Sequence, residues 1–326
     1  METIESLIGR NRDLLLNRDH EANKGTYGKL LVIAGSRGMA GAACLASRAA
    51  FRAGIGMVKV FGPECNRLIL QISLPEAMYT ASDFEGADIP SAYVGSGQPA
   101  EYCCVDAQAL AAGIDWADYI IAGPGLSRNP QAKELIRVLY SEECRKLLRD
   151  KKMLILDADA LNLIAESGLE PGILCPNTVI TPHVGEMSRL CSLTIGEIKQ
   201  DPEKAAADYC SRHGVTVVLK DAVTVVAEPG TEQEGTGTDA RGGQGAVRVL
   251  RIDSGCGAMA KAGSGDVLCG FLAGTAAVLK GNIRDAVPIG VWLHGRAGSI
   301  AAGEKGCHSI LAGDIADAAG EAIRHC

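Results

Sequence analysis

Short apolar runs recur along the chain, and longer stretches with helical spacing of apolar residues separate most of them. The first two runs, KLLVIA and MVKVF, flank the small-residue stretch AGAACLASRAAFRAG. Strand, helix and strand in this order predict a parallel sheet with helices packed on it. Further strand-like runs lie at 118–123, 153–158, 177–182 and 215–220. The sequence therefore predicts an α/β fold whose post-strand loops share one rim, where such folds bind ligands.

Two stretches interrupt this alternation. Residues 82–115 are mixed in composition, and residues 229–246 are polar and rich in glycine. The second stretch is predicted to be the loop of a hairpin that joins VTVVAE to VRVLRI. Neither stretch carries a recognisable chemical motif. We expect both to be insertions or loops within one domain spanning residues 1–326, because α/β folds commonly reach this length as one unit.

Charge and cysteine usage exclude several classes of partner. The chain has 39 acidic residues against 32 Lys and Arg, a formal net charge of -7, whereas a nucleic-acid footprint needs clustered cations. No run reaches the ~18 apolar residues of a membrane span. We therefore expect neither nucleic acid nor a membrane as partner. The 12 cysteines are scattered without a CxxC pair, which favours reduced, mostly buried thiols and a cytoplasmic protein.

The sharpest motif is AGSGDVLCGF at residues 262–271. Glycines allow backbone amides to converge, and a helix N-terminus adds partial positive charge, so Gly263, Ser264 and Gly265 are predicted to cradle a phosphate. Asp266 would repel that phosphate unless it had a task, such as accepting a proton from an attacking hydroxyl. A helix-capping role for Asp266 stays open as the alternative.

Polar loops follow three consecutive predicted strands: GPGL at 123–126, DADALN at 157–162 and TPHVGE at 181–186. Together they predict a site, although each has a plainer interpretation. Asp157 or Asp159 could cap the following helix, His183 could be a core histidine, and Glu186 could lie in a solvated first turn. A fourth loop, at 220–224, offers an ammonium and backbone groups to a nucleotide, or is a solvent-exposed turn.

The loop AGSRGMAGAA, at 34–43, permits the close approach of a ligand. Its glycine spacing does not fit GxGxxG, which argues against a nicotinamide-dependent Rossmann dehydrogenase.

Seven motifs in one order lead to a family resemblance. They are NKGTYGKLLVIAGSRGMAGAA, LPEAMY, AGPGL, LDADALN, TPHVGEM, VVLKDAVTVVA and GAMAKAGSGDVLCGFLAG. Over roughly residues 23–300 the chain resembles the standalone ADP/ATP-dependent (S)-NAD(P)H-hydrate dehydratases of the ribokinase-like superfamily. GSGD marks only the superfamily, whereas KGTYG together with TPHVGE is more specific. The resemblance implies a ribokinase-like three-layer α/β/α fold with a central, mostly parallel sheet.

The resemblance also implies an activity and a set of contacts. The activity is dehydration of the S-epimer of hydrated NADH or NADPH, through phosphorylation of the C6 hydroxyl and elimination of phosphate. The implied substrate contacts are Ala43, Gly125, His183 and Asp266. The implied adenine nucleotide contacts are Lys220, Asp221, Ala222, Val223, Thr224 and Gly265. Mg²⁺ is an implied cofactor whose ligands the sequence does not identify, and a homotetramer is the implied assembly. A separate NAD(P)H-hydrate epimerase is an expected partner, since fewer than thirty residues precede the first motif.

Two departures from the family pattern concern the nucleotide site. Residues 253–257 read DSGCG where an Asn-rich turn is usual, and Lys220-Asp221 stands where Lys-Gly is usual. A kinase of a hydroxymethylpyrimidine or thiazole alcohol, and a non-catalytic nucleotide sensor, stay open as alternatives. The choices between ADP and ATP, and between NADH and NADPH hydrates, are also open.

Overall fold

The computed structural model describes residues 2–82, 105–230 and 247–326 of the chain. Nine strands form one sheet. The strands are β1 (Lys29–Ile33), β2 (Met57–Gly62), β3 (Met78–Ala81), β4 (Tyr119–Ala122), β5 (Met153–Leu156), β6 (Thr178–Ile180), β7 (Thr216–Leu219), β8 (Thr224–Glu228) and β9 (Arg248–Ile252).

The order across the sheet is β3-β2-β1-β4-β5-β6-β7-β8-β9. From β3 to β7 all neighbours pair in parallel, and β8 pairs antiparallel with both β7 and β9. The prediction of a mostly parallel sheet is confirmed. The predicted pairing of the two strands around the polar stretch at 229–246 is also confirmed, although positions 231–246 lie outside the described residues.

Helices cover both faces of the sheet. The first face carries α1 (Ile4–Leu16), α2 (Ala40–Arg52), α3 (Arg67–Ser73), α11 (Ser264–Val278), α12 (Ile283–Lys305), α13 (Ala312–Asp317) and α14 (Ala319–Arg324). The second carries α4 (Ala107–Trp116), α5 (Pro130–Leu139), α6 (Glu142–Leu148), α7 (Asp159–Ser167), α8 (Val184–Cys191), α9 (Ile195–Gln200) and α10 (Pro202–His213). The three-layer α/β/α architecture is therefore confirmed.

The apolar runs of the sequence are strands buried on both faces. In β1, Leu30 and Val32 face one core and Leu31 and Ile33 face the other, and all four are 0% exposed. Such burial makes a parallel strand read as a continuous apolar run. Each fully buried side chain of this size contributes about 1.5–3 kcal/mol of transfer free energy.

Close packing of α2 against α11 positions the predicted cradle. A Cβ on Gly270 would lie 2.4 Å from the carbonyl oxygen of Ala46, and one on Gly274 would lie 2.5 Å from the Cβ of Ala53. Glycine at these positions allows the two helices to approach within backbone contact. The N-terminus of α11 is thereby fixed beside α2, the helix that carries Ala43.

Three features differ from the sequence prediction. Residues 107–115 belong to α4, whose Leu110 and Ile114 are 0% exposed, so this part of 82–115 is a covering layer of the fold and not an insertion. Residues 83–104 lie outside the described part of the chain. Strand β3 was not predicted. The sequence pattern at 311–325 predicts one helix, and the structure divides it into α13 and α14. Among the described residues, no helix is long and apolar enough to cross a bilayer.

Candidate active site

The glycine-rich motif forms the N-terminus of α11. Gly263 is the N-cap, with φ of +92°, and a Cβ at this position would lie 2.6 Å from Leu45 Cδ1 and 2.9 Å from the Cβ of Ala312. Only glycine satisfies both the backbone conformation and the space. The hydroxyl of Ser264 donates to the carbonyl of Met259 at 2.7 Å, and its amide donates to that of Lys261 at 3.3 Å. The cradle is thus a closed turn that leads into a helix of 15 residues.

A cavity of about 840 Å³ lies between this turn and the loop that follows β7. The predicted residues that line it are His183, Lys220, Asp221, Ala222, Thr224, Ser264 and Gly265. Further lining comes from the 253–257 turn and from apolar residues such as Ile252, Leu268 and Val291. A largely apolar cleft of this size with a few polar groups suits a small-molecule ligand. Val223, although predicted with its neighbours, is not among the lining residues, and neither are Gly263 and Asp266.

Asp266 lies in the first turn of α11, directly after the cradle. Burial raises the pKa of Asp266 to about 7; the negative charges of Asp157 and Asp159 add to the shift, and Lys220 opposes it. One carboxylate oxygen, Oδ2, lies 4.0 Å from the position that a Cβ on Gly263 would occupy. Since Gly263 is the N-cap, the alternative of an Asp266 cap is wrong. A carboxyl group with a pKa near neutrality is suited to general-base catalysis.

Asp157 and Lys220 form an ion pair beside the cradle. Asp157, directly after β5, is 1% exposed, and its Oδ1 accepts hydrogen bonds from Lys220 Nζ at 2.6 Å and from the Thr181 hydroxyl at 2.7 Å. Burial opposes the ionisation of Asp157, but the Lys220 ammonium prevails and lowers the pKa of the carboxyl. Burial likewise opposes the charge on Lys220, and Asp157 raises the pKa of the ammonium.

His183 is the N-cap of α8, and its ring Nδ1 accepts hydrogen bonds from the amides of Gly185 at 2.9 Å and Glu186 at 3.3 Å. Its side chain is 55% exposed and lines the cavity. The interpretation as a core histidine is therefore wrong. Because Nδ1 accepts, the neutral ring carries its proton on Nε2. Glu186, expected in a solvated turn, is 5% exposed and accepts from the amide of His183.

Gly125 lies against the start of α2, the helix that carries Ala43. Gly125 has φ of +62°, and a Cβ there would lie 2.8 Å from the Cβ of Ala42 and 3.2 Å from the carbonyl of Met39. Ala43 itself is 3% exposed. Neither residue lines the large cavity. Of the four predicted substrate contacts, Ala43 and Gly125 are therefore separate from the residues that line the cavity, whereas His183 lies among them.

The DADALN loop joins these two sides. Asp159 accepts a hydrogen bond from the amide of Ser127 at 2.7 Å, two residues beyond Gly125, and its charge acts on Asp266. The N-cap of α7 is Ala158, with φ of +50°, so the capping interpretation is wrong for both Asp157 and Asp159. A non-glycine residue at such a φ is strained, a feature common at functional sites.

His294, on α12, is a cavity residue that the sequence analysis missed. Burial lowers the pKa of its imidazole to about 4, and the ring forms a hydrogen bond with the backbone of Ser264. Its Nε2 is buried without a hydrogen-bond partner in the described part of the chain. No signal in the sequence distinguishes this histidine from other helical residues. Only the packing of α12 against α11 reveals it.

The described residues contain no group of three or more His, Cys, Asp or Glu side chains arranged to hold a metal ion.

Comparison with known proteins places this arrangement in a family. The family model for NAD(P)H-hydrate dehydratase matches residues 30–320. The chain belongs to the NAD(P)H-hydrate dehydratase family. This finding confirms the predicted family and, with the architecture above, the ribokinase-like fold.

Relatives of two kinds share the sequence. An ADP-dependent (S)-NAD(P)H-hydrate dehydratase of Neisseria meningitidis is 30% identical over 306 residues, which cover 93% of this chain and 87% of the relative. A bifunctional NAD(P)H-hydrate repair enzyme of Moorella thermoacetica is 34% identical over 309 residues, which cover 94% of this chain and 51% of the relative. The chain thus spans about half the length of the bifunctional relatives.

A solved structure supports the same assignment. The ADP/ATP-dependent NAD(P)H-hydrate dehydratase of Bacillus subtilis, co-crystallised with ATP and Mg²⁺, superimposes with a TM-score of 0.70 at 25% identity. The match covers 99% of this chain and 97% of that one.

Proposed function

We propose that the protein dehydrates the S-epimer of hydrated NADH or NADPH at the expense of ADP or ATP. The observation that carries the proposal is the juxtaposition of Asp266, whose pKa is raised to about 7, with the glycine cradle at the start of α11. A proton acceptor beside an anion-binding helix N-terminus is the arrangement that phosphorylation of an alcohol requires. Membership of the NAD(P)H-hydrate dehydratase family supports the choice of substrate.

Hydroxide is a poor leaving group, so elimination from C6 is slow until the oxygen carries phosphate. In the proposed reaction Asp266 accepts the proton of the C6 hydroxyl while that oxygen bonds to the terminal phosphorus of the nucleotide. The bond from this phosphorus to the leaving AMP or ADP breaks. The ring nitrogen then expels inorganic phosphate, and loss of a proton from C5 restores the dihydronicotinamide.

The remaining residues have positioning and electrostatic roles in this proposal. Backbone amides of Gly263 and Gly265 stabilise the charge on the transferring group, whereas the amide of Ser264, predicted with them, already donates to the Lys261 carbonyl. His183, Gly125 and Ala43 position the substrate, since the reacting atoms must lie within ~3.5 Å.

The loop at 220–224 binds the adenine nucleotide in this proposal. Asp221, the departure from the family pattern, accepts a hydrogen bond from the amide of Ala222 at 2.9 Å. Its charge is therefore partly satisfied within the loop itself. The unusual 253–257 turn still lines the cavity.

Mg²⁺ has no ligand set among the described residues, and no step of the proposal passes through it. Its place in the proposal is as a companion of the nucleotide phosphates, since Mg²⁺ commonly binds substrate phosphates and keeps several waters. A cytoplasmic location is proposed from the free thiols of all ten described cysteines. The single domain spanning residues 1–326, the homotetramer and the separate epimerase stay predictions.

One assay tests the proposal against the kinase alternative. The protein is incubated with the separated epimers of hydrated NADH and with ADP or ATP, and the reduced-nicotinamide absorbance and inorganic phosphate are followed. We expect both signals to rise together with the S-epimer only. Accumulation of a phosphorylated product without phosphate release would replace the proposal with a kinase, and nucleotide binding without turnover would replace it with a sensor.

A further inference from the structure

We propose that Asp157 is a positioning residue of this reaction, which holds the ammonium of Lys220 against Gly265, where the ammonium contacts the phosphoryl group in transit. The inference rests on the proposed function. In the proposed arrangement Asp157 contacts neither substrate nor nucleotide, and it acts through Lys220.

The pair is built by three neighbouring parallel strands. Asp157 follows β5, Thr181 follows β6 and Lys220 follows β7, and the hydroxyl of Thr181 and the ammonium of Lys220 both donate to Oδ1 of Asp157. The side chain of Asp157 is 2% exposed, whereas that of Lys220 is 21% exposed and lines the cavity. The carboxylate thus supports the ammonium from behind, and the ammonium faces the cavity.

The pair also lies directly against the cradle. A Cβ built on Gly265 would lie 3.4 Å from Lys220 Nζ and 3.7 Å from Asp157 Oδ2. Gly265 is the second residue of α11, so the ammonium and the amides of the helix N-terminus share one location. A phosphate bound at these amides is within reach of Lys220.

Electrostatics explain why Lys220 needs a carboxylate behind it. The helix N-terminus carries partial positive charge, which repels an ammonium when no anion is bound. The Lys side chain is also flexible and strongly hydrated. The buried charge of Asp157 offsets the repulsion and fixes the side chain, so that the cation is in place before the nucleotide arrives.

Lys220 stays protonated throughout the step. The phosphorus–oxygen bond to AMP or ADP breaks, the bond to the C6 oxygen forms, and the hydroxyl proton passes to Asp266. The ammonium stabilises the negative charge on the transferring group and exchanges no proton. The ammonium donors that do not bind Asp157 are available to the phosphoryl oxygens, which is why a lysine suits this position.

The charges around Asp266 supply a readout that a structural role would not change. The charged or titratable groups that face it are Asp157 after β5, Asp159 in α7, Lys220 after β7 and Cys269 in α11. Asp157 raises the pKa of Asp266 and Lys220 lowers it. Asp157→Asn should therefore move the acidic limb of the kcat/KM profile to lower pH, and Lys220→Met should move it to higher pH.

The test compares Asp157→Asn, Lys220→Met and the double variant with Asp208→Asn. The last variant removes the carboxylate from the exposed Lys204–Asp208 pair, whose atoms lie 2.7 Å apart, and is expected to change nothing. Calorimetry measures the affinity for ADP and for adenosine. We expect Lys220→Met and Asp157→Asn to weaken ADP binding about 10- to 100-fold, as for the loss of a charged hydrogen bond, and to spare adenosine binding.

Turnover should fall in both single variants, and the double variant should be no worse than Lys220→Met because the two residues act as one unit. The proposal is overturned if Asp157→Asn binds ADP and turns over like the wild type, or if ADP and adenosine binding fall equally. Thermal unfolding checks that each variant folds. If Asp157→Asn does not fold, the test rests on Lys220→Met, through its affinities for ADP and adenosine and the acidic limb of its kcat/KM profile. If the wild type does not act on hydrated NADH, the proposed function fails, while the binding comparison still tests the ammonium at the phosphate.

Discussion

Asp266 and Glu228 are two carboxyl groups whose pKa is raised to about 7, with burial as the largest cause in each. Their neighbours differ. Glu228, at the end of β8, is 3% exposed and accepts a hydrogen bond from Arg248 Nε at 2.7 Å. Asp266 lies beside two further carboxylates, Asp157 and Asp159, whose charges add to its shift.

The difference in neighbours separates a structural group from a reactive one. Arg248 also donates to Glu2 and to the carbonyl of Arg284. The cation at Glu228 therefore links β8 and β9 to the segment before α1 and to α12. Glu228 lies about 13 Å along its strand from Thr224 at the cavity, at ~3.3 Å per residue. A raised pKa by itself does not identify a catalytic carboxyl. At Asp266 the neighbouring carboxylates and the adjacent cradle support the proposed role as general base.

The largest expected effect concerns turnover. Asp266→Asn should lower kcat by about 10²- to 10⁴-fold, because it removes a general base. Glu228→Gln, the matched loss of a buried charge, should leave kcat nearly unchanged. Steady-state kinetics on (S)-hydrated NADH with ADP measures both. Near-full activity of Asp266→Asn would remove the base assignment, and a large loss in Glu228→Gln would remove the distinction between the two groups.

A second comparison concerns the backbone, at two glycines with positive φ, Gly263 and Gly168. Gly263→Ala meets both strain and contacts with Leu45 and Ala312, whereas Gly168→Ala meets strain alone, since nothing lies within 4 Å of its Cβ. We expect Gly263→Ala to lower kcat/KM about 10²- to 10³-fold, the scale of losing one preorganised donor. Gly168→Ala should lose only about 1 kcal/mol of stability. Equal activity of the two variants would argue against a cradle at 263.

Two histidines, His183 and His213, should differ in their effect on the KM for the hydrated nucleotide. His183→Ala should raise KM for the hydrated nucleotide about tenfold, the scale of one lost charged or polar contact. His213→Ala removes a ring whose Nδ1 lies 2.8 Å from Glu170 Oε1, outside the residues that line the cavity, and should leave KM unchanged. Initial-rate kinetics separates the two. An unchanged KM in His183→Ala would contradict its substrate-positioning role.

The smallest expected effect is a pH dependence of stability. Because folding raises the pKa of Glu228 from 4.5 to about 7, the stability from its proton is fully present below pH 4.5 and is lost as pH rises through 7. The glutamine of Glu228→Gln is neutral at every pH. Between pH 4.5 and pH 8 the wild type should therefore lose about 1–3 kcal/mol of its free energy of unfolding relative to this variant. Chemical denaturation at several pH values measures this difference. A constant difference would show that the ion pair with Arg248 keeps the carboxyl charged.

Much of the fold was predictable because its central strands are buried on both faces. β1, β4, β5 and β7 read as uninterrupted apolar runs, and the loops after them hold the polar motifs. β3 was missed because Met78–Ala81 is a partly exposed edge strand with no clear run. α4 was obscured by its position within the mixed stretch at 82–115.

The candidate site was predictable in its residues and not in its contacts. Asp157 and Lys220 are separated by 63 positions, and the two loops meet only because β5, β6 and β7 are adjacent and parallel. His294 and its contact with Ser264 depend on how α12 packs against α11. Neither arrangement leaves a local signal, because side-chain neighbours across a sheet or between helices are set by register and packing.

From its motifs alone, the chain determined which residue types stand after each strand, and therefore which kind of chemistry its rim can support. Tertiary structure decided which of those residues touch and what their charges become. The physical reason is that a pKa responds to burial and to charges a few ångströms away. At Asp266 those charges come from two separate segments of the chain, the DADALN loop and the loop after β7.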